Sequence, residues 1–426
     1  MKNIARPLRV YRVRTGSPES APATTRPVAV TAIEGPMIAV LPFINLSGDP
    51  GQDYFSNGIT EDIIIELGRF RSLFVSARNS SFSFKGSGAS IQSIAEGLGV
   101  RYLVEGSVRK AADRVRINAQ LTDAARGRQI WGEHYDREVN DIFAVQDEVT
   151  QNIVATLVGR VTAADIEQAR RFPTDVPQAY DLVLRGQGIV AHSREANERA
   201  RELYQQAAAL DPRYAQAYLG LSTCHMLDWT SNWSDAPRKS LEESFACASK
   251  ALDLDNTDSR IYARLGMLRL YRSEFAESQR LLERALALNR CDATALVHKA
   301  RLEVALGSPD AAIERIASAV RLDPFHPTWY FWTLGQAQLM AGLLDDAIGT
   351  LRTAIVRDPR FITPHRHLAA AYALAGDEAA ARREVAAILE FDPTYRLGRV
   401  GEREVFRNPD DLERYLAALR RAGVPD

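Results

Sequence analysis

TWYFWTLGQAQLMAGLLDDAIGTLRTAIVRDP, residues 328–359, holds the clearest copy of a pattern that recurs along the second half of the chain. Within it Phe331, Leu334 and Gly335 are followed by Ala347, Leu351 and Ala354, and then by Asp358 and Pro359. The same order recurs upstream. Tyr262, Leu265, Gly266, Leu282 and Ala285 precede Asn289, and Leu296, Ala300, Ala312, Ile316 and Ala319 precede Asp323. The closing residues Asp211, Asp255, Asn289, Asp323, Asp358 and Asp392 lie 44, 34, 34, 35 and 34 residues apart, and proline follows four of them. Such a period belongs to a helix-turn-helix unit. Small residues such as Gly335 and Ala347 predict two antiparallel helices in close approach, Leu351 and Phe331 fill what remains, and proline stops the second helix. One unit alone cannot bury its apolar stripe, so the units must stack.

This order of residues resembles the tetratricopeptide repeat. The resemblance implies a solenoid over residues 176–393 that binds a partner along its concave side and brings no ready-made chemistry. Ala200, Tyr204 and Ala207 before Asp211 and Pro212 predict the second helix of a first, divergent unit. The 44-residue interval after it predicts an insertion, placed at Trp229–Pro237. Residues 394–426 read as a C-terminal cap. Its helix is expected over Asp410–Ala422, with Asn408 or Pro409 at its start and Gly423 at its end, and Leu412, Tyr415, Leu416 and Leu419 closing the end of the stack.

Upstream of the repeats the pattern is that of a compact α/β domain. Met37–Phe43 is a mostly apolar run of strand length that Pro42 should end. Ile59, Ile63, Ile64 and Leu67 fall on one face of a helix. A second strand is expected at Leu73–Ala77 and a second helix through Ile91, Ile94, Ala95 and Leu98, closed by Gly99 as a left-handed cap. Tyr102–Arg109, the alternating stretch through Val115, Ile117, Ala119 and Leu121, and Ile130–Tyr135 predict an antiparallel meander with one wet face. A long amphipathic helix is expected from Asp141 to about Arg171, with its end and the connection to the repeats at 162–175. Taken together, IAVLPFINLSGDPGQDYFSNGITEDIIIELGRF, YLVEGSVRK and IWGEHYDRE resemble the TolB-like amino-terminal domain that accompanies tetratricopeptide repeats in bacterial cyclase-like and regulatory proteins. The resemblance covers residues 37–161 and implies an accessory domain with no assigned catalytic residue.

Residues 14–36 are rich in Pro, Ala, Ser and Thr and read as an extended linker. Before it, KNIARPLRVYRV, Lys2–Val13, resembles the segment that closes the class III nucleotide cyclase catalytic domain. That resemblance implies that residues 1–13 are the remnant of such a domain. The family's metal-binding, base-selecting and transition-state residues would lie upstream of Met1, so no position here inherits them.

Composition narrows the remaining choices. A formal charge of −1 with 25% charged residues argues against wholesale nucleic-acid binding, which needs a basic excess to displace counterions. Cys224, Cys247 and Cys291 lack metal spacing and read as small core residues of a reducing compartment. Val28–Leu46, the most apolar early region, is broken by Glu34, Gly35, Pro36 and Pro42, against a membrane span. The expectation is a cytoplasmic protein.

Candidate chemistry has plainer explanations. Lys85–Gly88 lacks the full phosphate-loop spacing and reads as a loop. Asp49, Asp53, Glu61 and Asp62 could crowd carboxylates around a cation, but turn and helix-dipole roles account for them. On a strand Glu133 and His134 face opposite sides, and on a helix His365 and His367 diverge. No catalytic, cofactor or metal residue is expected.

The inner helices are the better candidate. By helical phase Arg260, Arg301, Trp329, Trp332, Gln336 and Arg366 fall on them, away from the residues that pack each pair. Aromatic and guanidinium groups together are frequent anchors of a peptide site. The tryptophans alternatively fill gaps between units. The fold expected is therefore an α/β TolB-like domain followed by an all-α tetratricopeptide repeat solenoid. Its expected role is that of a non-catalytic adaptor gripping a protein or peptide, with self-association left open. The alternative is the regulatory C-terminal portion of a class III cyclase whose catalytic domain is missing from this chain. A third reading makes the α/β domain a receptor for a small ligand.

Overall fold

The computed structural model describes residues 37–70, 73–111, 114–138, 142–158, 174, 176–189, 193–231 and 233–426. The cyclase-like dodecamer, the linker at 14–36 and the stretch 159–173, where the connecting helix was expected to end, lie outside these residues.

The described residues between 37 and 138 contribute six strands to one mixed sheet. Its strands are β1 (Met37–Val40), β2 (Ile44–Asn45), β3 (Phe74–Val75), β4 (Tyr102–Ala111), β5 (Arg114–Asp123) and β6 (Arg128–Glu138), in the order β3-β1-β4-β5-β6, with β2 on the outer part of β4. β1 pairs parallel with β3 and β4, whereas β4, β5 and β6 run antiparallel. Alternation sorts the side chains. Ile38 and Val40 join α1 (Asp53–Gly68) through Ile59, Ile63 and Leu67, while Ala39 and Leu41 meet Ile94 and Leu98 of α3 (Ile91–Leu98). Gly99 ends α3 at φ +66°, as a left-handed cap requires. In β5 the apolar Val115, Ile117 and Leu121 are buried, and Arg114, Arg116 and Asn118 face water. A short helix, α2 (Arg78–Phe82), follows β3, and α4 (Ile142–Val158) covers the same sheet face as α1 through Val145, Val149 and Ile153.

Six helix pairs follow among the described residues: α5 (Pro177–Gly188) with α6 (Arg194–Leu210), α7 (Ala215–Thr230) with α8 (Pro237–Leu254), α9 (Ser259–Tyr271) with α10 (Phe275–Leu288), α11 (Ala293–Ala305) with α12 (Pro309–Leu322), α13 (Thr328–Met340) with α14 (Leu344–Arg357), and α15 (Ile362–Ala375) with α16 (Glu378–Phe391). Gly335 shows why small residues hold the pattern: a Cβ there would lie 2.5 Å from Leu351 Cγ. The closing residues work through their side chains as well. Asp211, Asp255, Asn289, Asp358 and Asp392 each accept a backbone N–H two residues on, folding the turn into the next unit. The extra residues expected at Trp229–Pro237 are only partly a loop. α7 and α8 are 16 and 18 residues long, against 13 and 14 for α9 and α10, so much of the insertion lengthens the two helices.

After α16 the chain forms α17 (Leu397–Arg403), an irregular piece at 404–407 that starts extended at Glu404, and α18 (Pro409–Ala422), whose Tyr415, Ala418, Leu419 and Ala422 are buried at the end of the stack. Weak periodicity over 394–408 gave no sign of α17. No helix among the described residues is long and apolar enough to cross a membrane.

Candidate functional site

The sheet region lies along the edge of the stack made by the inter-unit turns. Its core is continuous with the first helix pairs: Phe55, Ile59 and Ile63 share one cluster with Tyr180, Val183 and Leu184 of α5, Tyr204 of α6 and Tyr214 of α7. Further along, Ala77 N donates to Leu322 O at 2.7 Å, the Cys291 Sγ reaches Leu73 O, and the Phe84 and Phe325 rings meet edge to face at 5.2 Å. Asp323 departs from the other closing residues here. Its carboxylate accepts the Ser80 hydroxyl and the Asn79 amide, and Ser80 Oγ in turn accepts Phe325 N at 2.8 Å.

The carboxylates of α1 face this junction. Asp62 accepts Tyr180 Oη–H and Gln146 Nε2–H, and burial pushes it up to about 6. Glu66 lies 3.2 Å from Arg69 with 15% of its side chain exposed; burial drives it up to about 8. Arg260, expected in the groove, belongs here instead. It pairs with Asp258 at 2.7 Å and Glu61 at 3.8 Å and donates to Gln216. Its place at the start of α9, beside the turn, puts it within reach of α1. Glu61 and Asp62 are therefore interface groups as well as members of α1, and among the described residues no cluster of His, Cys, Asp or Glu is arranged to hold a metal.

The other five candidates lie along α11, α13 and α15. Arg301 donates to Tyr271 Oη at 2.7 Å and stacks over the Trp332 ring at 4.5 Å. Trp329 stacks on His298 at 5.4 Å, and Trp332 lies 5.8 Å from His367. Gln336 and Arg366 are each only 6% exposed, and this corrects the expectation of an open groove. The chain itself covers them. Gln336 Nε2 donates to one oxygen of Glu404 at 2.9 Å, and Arg366 pairs with the other while donating to Tyr415 Oη at 3.2 Å. Burial opposes ionisation of Glu404, but the charges of Arg366 and Arg301 hold it below the usual carboxylate range. His367, 3.8 Å away, is pushed down to about 4 by burial and stays neutral.

The segment continues across the inner helices. Val405 packs on the cluster of Met267, Leu270, Leu302 and Ala305, and Phe406 on that of Ala300, Val304 and Ala337. Arg407 N donates to Ala305 O at 2.7 Å. Sequence reasoning missed Glu404, Val405 and Phe406, since four residues without a repeat carry no periodic signal. It separated His365 from His367 correctly: the first lies 2.7 Å from Glu384, and the second bonds the Thr363 carbonyl.

Comparison with known proteins identifies the helix pairs. The tetratricopeptide repeat family pattern matches residues 186–253, 264–327 and 297–360. "Putative adenylate cyclase 3" of Rhizobium meliloti (strain 1021) is 41% identical over 263 residues, which is 61% of this chain and 44% of that protein. The chain thus matches less than half of the length of this relative. Among solved structures, YrrB, described as a tetratricopeptide protein with an unusual peptide-binding site, is 20% identical with a TM-score of 0.29, covering 46% of this chain and 94% of its own. PilF of Pseudomonas aeruginosa is 14% identical with a TM-score of 0.37, covering 51% and 93%. The matched residues carry tetratricopeptide repeats within an all-helical, repeat-like C-terminal stack, which a mixed-sheet region precedes.

Proposed function

We propose that this chain is a non-catalytic, cytoplasmic adaptor of a bacterial signalling system that grips a protein or peptide in the concave face of its repeats, with Arg301, Trp329, Trp332, Gln336 and Arg366 as the gripping residues. The observation that carries the reading is the seating of a non-helical segment, Glu404–Arg407, on that face, with one carboxylate held by Gln336 and Arg366. Arginine and aromatic anchors around a backbone segment are what peptide recognition on a helical face needs. Arg260 is left out of the grip because it is spent on Asp258 and Glu61. The sheet region over 37–161 is read as a TolB-like domain that stiffens the stack, and 176–393 and 394–426 as repeats and cap. Affinity capture with the full chain and its Arg301→Ala variant tests this. Recovery of a specific protein should fall at least about tenfold in the variant, as loss of an interface arginine anchor implies; equal recovery would sink the reading.

The similarity to a relative named for cyclase activity supports a second reading, in which the chain is the regulatory portion of a class III cyclase. Purified chain incubated with ATP or GTP and Mg²⁺ is expected to form no cyclic nucleotide under either reading. Addition of a separately purified cyclase catalytic domain should change its rate only under the second.

A further inference from the structure

The segment Glu404–Arg407 is part of neither α17 nor α18, yet it lies against the inner helices. Val405 packs on the cluster that holds Met267, Leu270 and Leu302, Phe406 on the cluster that holds Ala300, Val304 and Ala337 and also on the cap, 6.2 Å from the Tyr415 ring, and Glu404 closes on Gln336 of α13 and Arg366 of α15. The contact has three components: a carboxylate beside Arg366, Gln336 and His367, two apolar side chains on buried apolar surfaces, and a backbone N–H given to the end of α11. Two buried donors beside it, Arg301 Nε and Trp332 Nε1, meet no acceptor among the described residues. A carbonyl-rich extended backbone could supply what they lack.

We propose that the inner face from Met267 to Arg366 is a recognition site for an extended peptide of another protein in which an acidic side chain is followed directly by two bulky apolar ones, and that Glu404, Val405 and Phe406 occupy this site as a tethered stand-in. The inference deepens the adaptor reading and rests on it. It assigns the chemistry of the partner from the chemistry of the resident. It also makes access conditional: the partner binds when the stand-in leaves. Arg366, inaccessible while Glu404 is seated, then becomes the anchor for the incoming carboxylate.

The test uses the full chain and a labelled heptapeptide, EREVFRN, copying residues 402–408. Fluorescence anisotropy is measured on the native chain and on the Glu404→Ala/Phe406→Ala double variant, with a thermal melt to show that the variant is folded. The variant is expected to bind at least tenfold more tightly than the native chain, and peptides lacking the acid (ERAVFRN) or the ring (EREVARN) should lose most of that binding. The milder Glu404→Gln variant, which keeps the shape of the segment, should bind at an intermediate level. Equal binding to native and opened chains, or binding indifferent to the acid and the ring, would overturn the inference. So would absence of binding to both folded variants. The adaptor reading stands or falls separately on the Arg301→Ala capture, so the two failures are distinguishable.

Discussion

Two pieces of this chain lie against its own helical stack, and each makes a backbone hydrogen bond of 2.7 Å to it, Ala77 N to Leu322 O and Arg407 N to Ala305 O. Length does not separate them; what surrounds each bond does. The sheet region merges its core with α5, α6 and α7 and buries the carboxylates of α1 against the turns. The segment at 404–407 contributes one ion pair and two side chains that stay partly exposed. A shared hydrophobic core makes a contact that opens only when the whole unit unfolds, whereas a short segment can open locally. The turn edge is therefore architecture, and the concave face carries a replaceable cover.

The most disruptive way to test that contrast is to strike the shared core. Leu184, 3% exposed, lies against Gly58, and Leu184→Ala should cost about 2–5 kcal/mol. Calorimetry should still show one transition at lower temperature. Two transitions in the native chain would mean that sheet and repeats melt independently, and the contrast would fail.

A somewhat smaller effect follows from pH. Folded Asp62 and Glu66 keep their protons to about 6 and about 8, whereas their ordinary values are 3.8 and 4.5. Between those limits the folded chain binds more protons, so this stabilisation is complete below the ordinary values and fades as pH rises to 8. Asp258 acts oppositely: despite burial, Arg260 holds it below its ordinary 3.8, and its contribution disappears in stronger acid. Urea unfolding should show stability falling from pH 5 to 8, with the slope reduced in Glu66→Gln. A slope unchanged by that substitution would remove Glu66 from the account.

The finest measurement compares the two bonds directly by amide exchange. The Arg407 amide should exchange at least about tenfold faster than that of Ala77, since the former opens without the latter. Equal protection would make the cover as permanent as the edge.

The stack was legible because its signal repeats: a small residue facing Leu351, and a closing carboxylate that folds its own turn, recur in unit after unit. Strands and helices of the sheet region were legible from alternation and helical phase. The side chains that join the regions were not. Glu61 and Arg260 are far apart in sequence, and nothing local to either announces the other. The same reason hid Asp323 and Ser80, where a residue marking the repeat was also recruited across the junction. Arg366 lies on α15, as its helical phase suggests, but its burial depends on Glu404, in a stretch too short to have a period.

The cover at 404–407 is a loop rather than a free tail. Leu397 N bonds Pro425 O at 2.8 Å, and α18 is packed against α15 and α16, so both ends of the loop stay fixed when its middle lifts. A peptide arriving from solution therefore competes with a resident whose effective concentration is on the order of millimolar. The tether raises the apparent Kd of every incoming peptide by one common factor, so scarce or weak ones leave the cover in place.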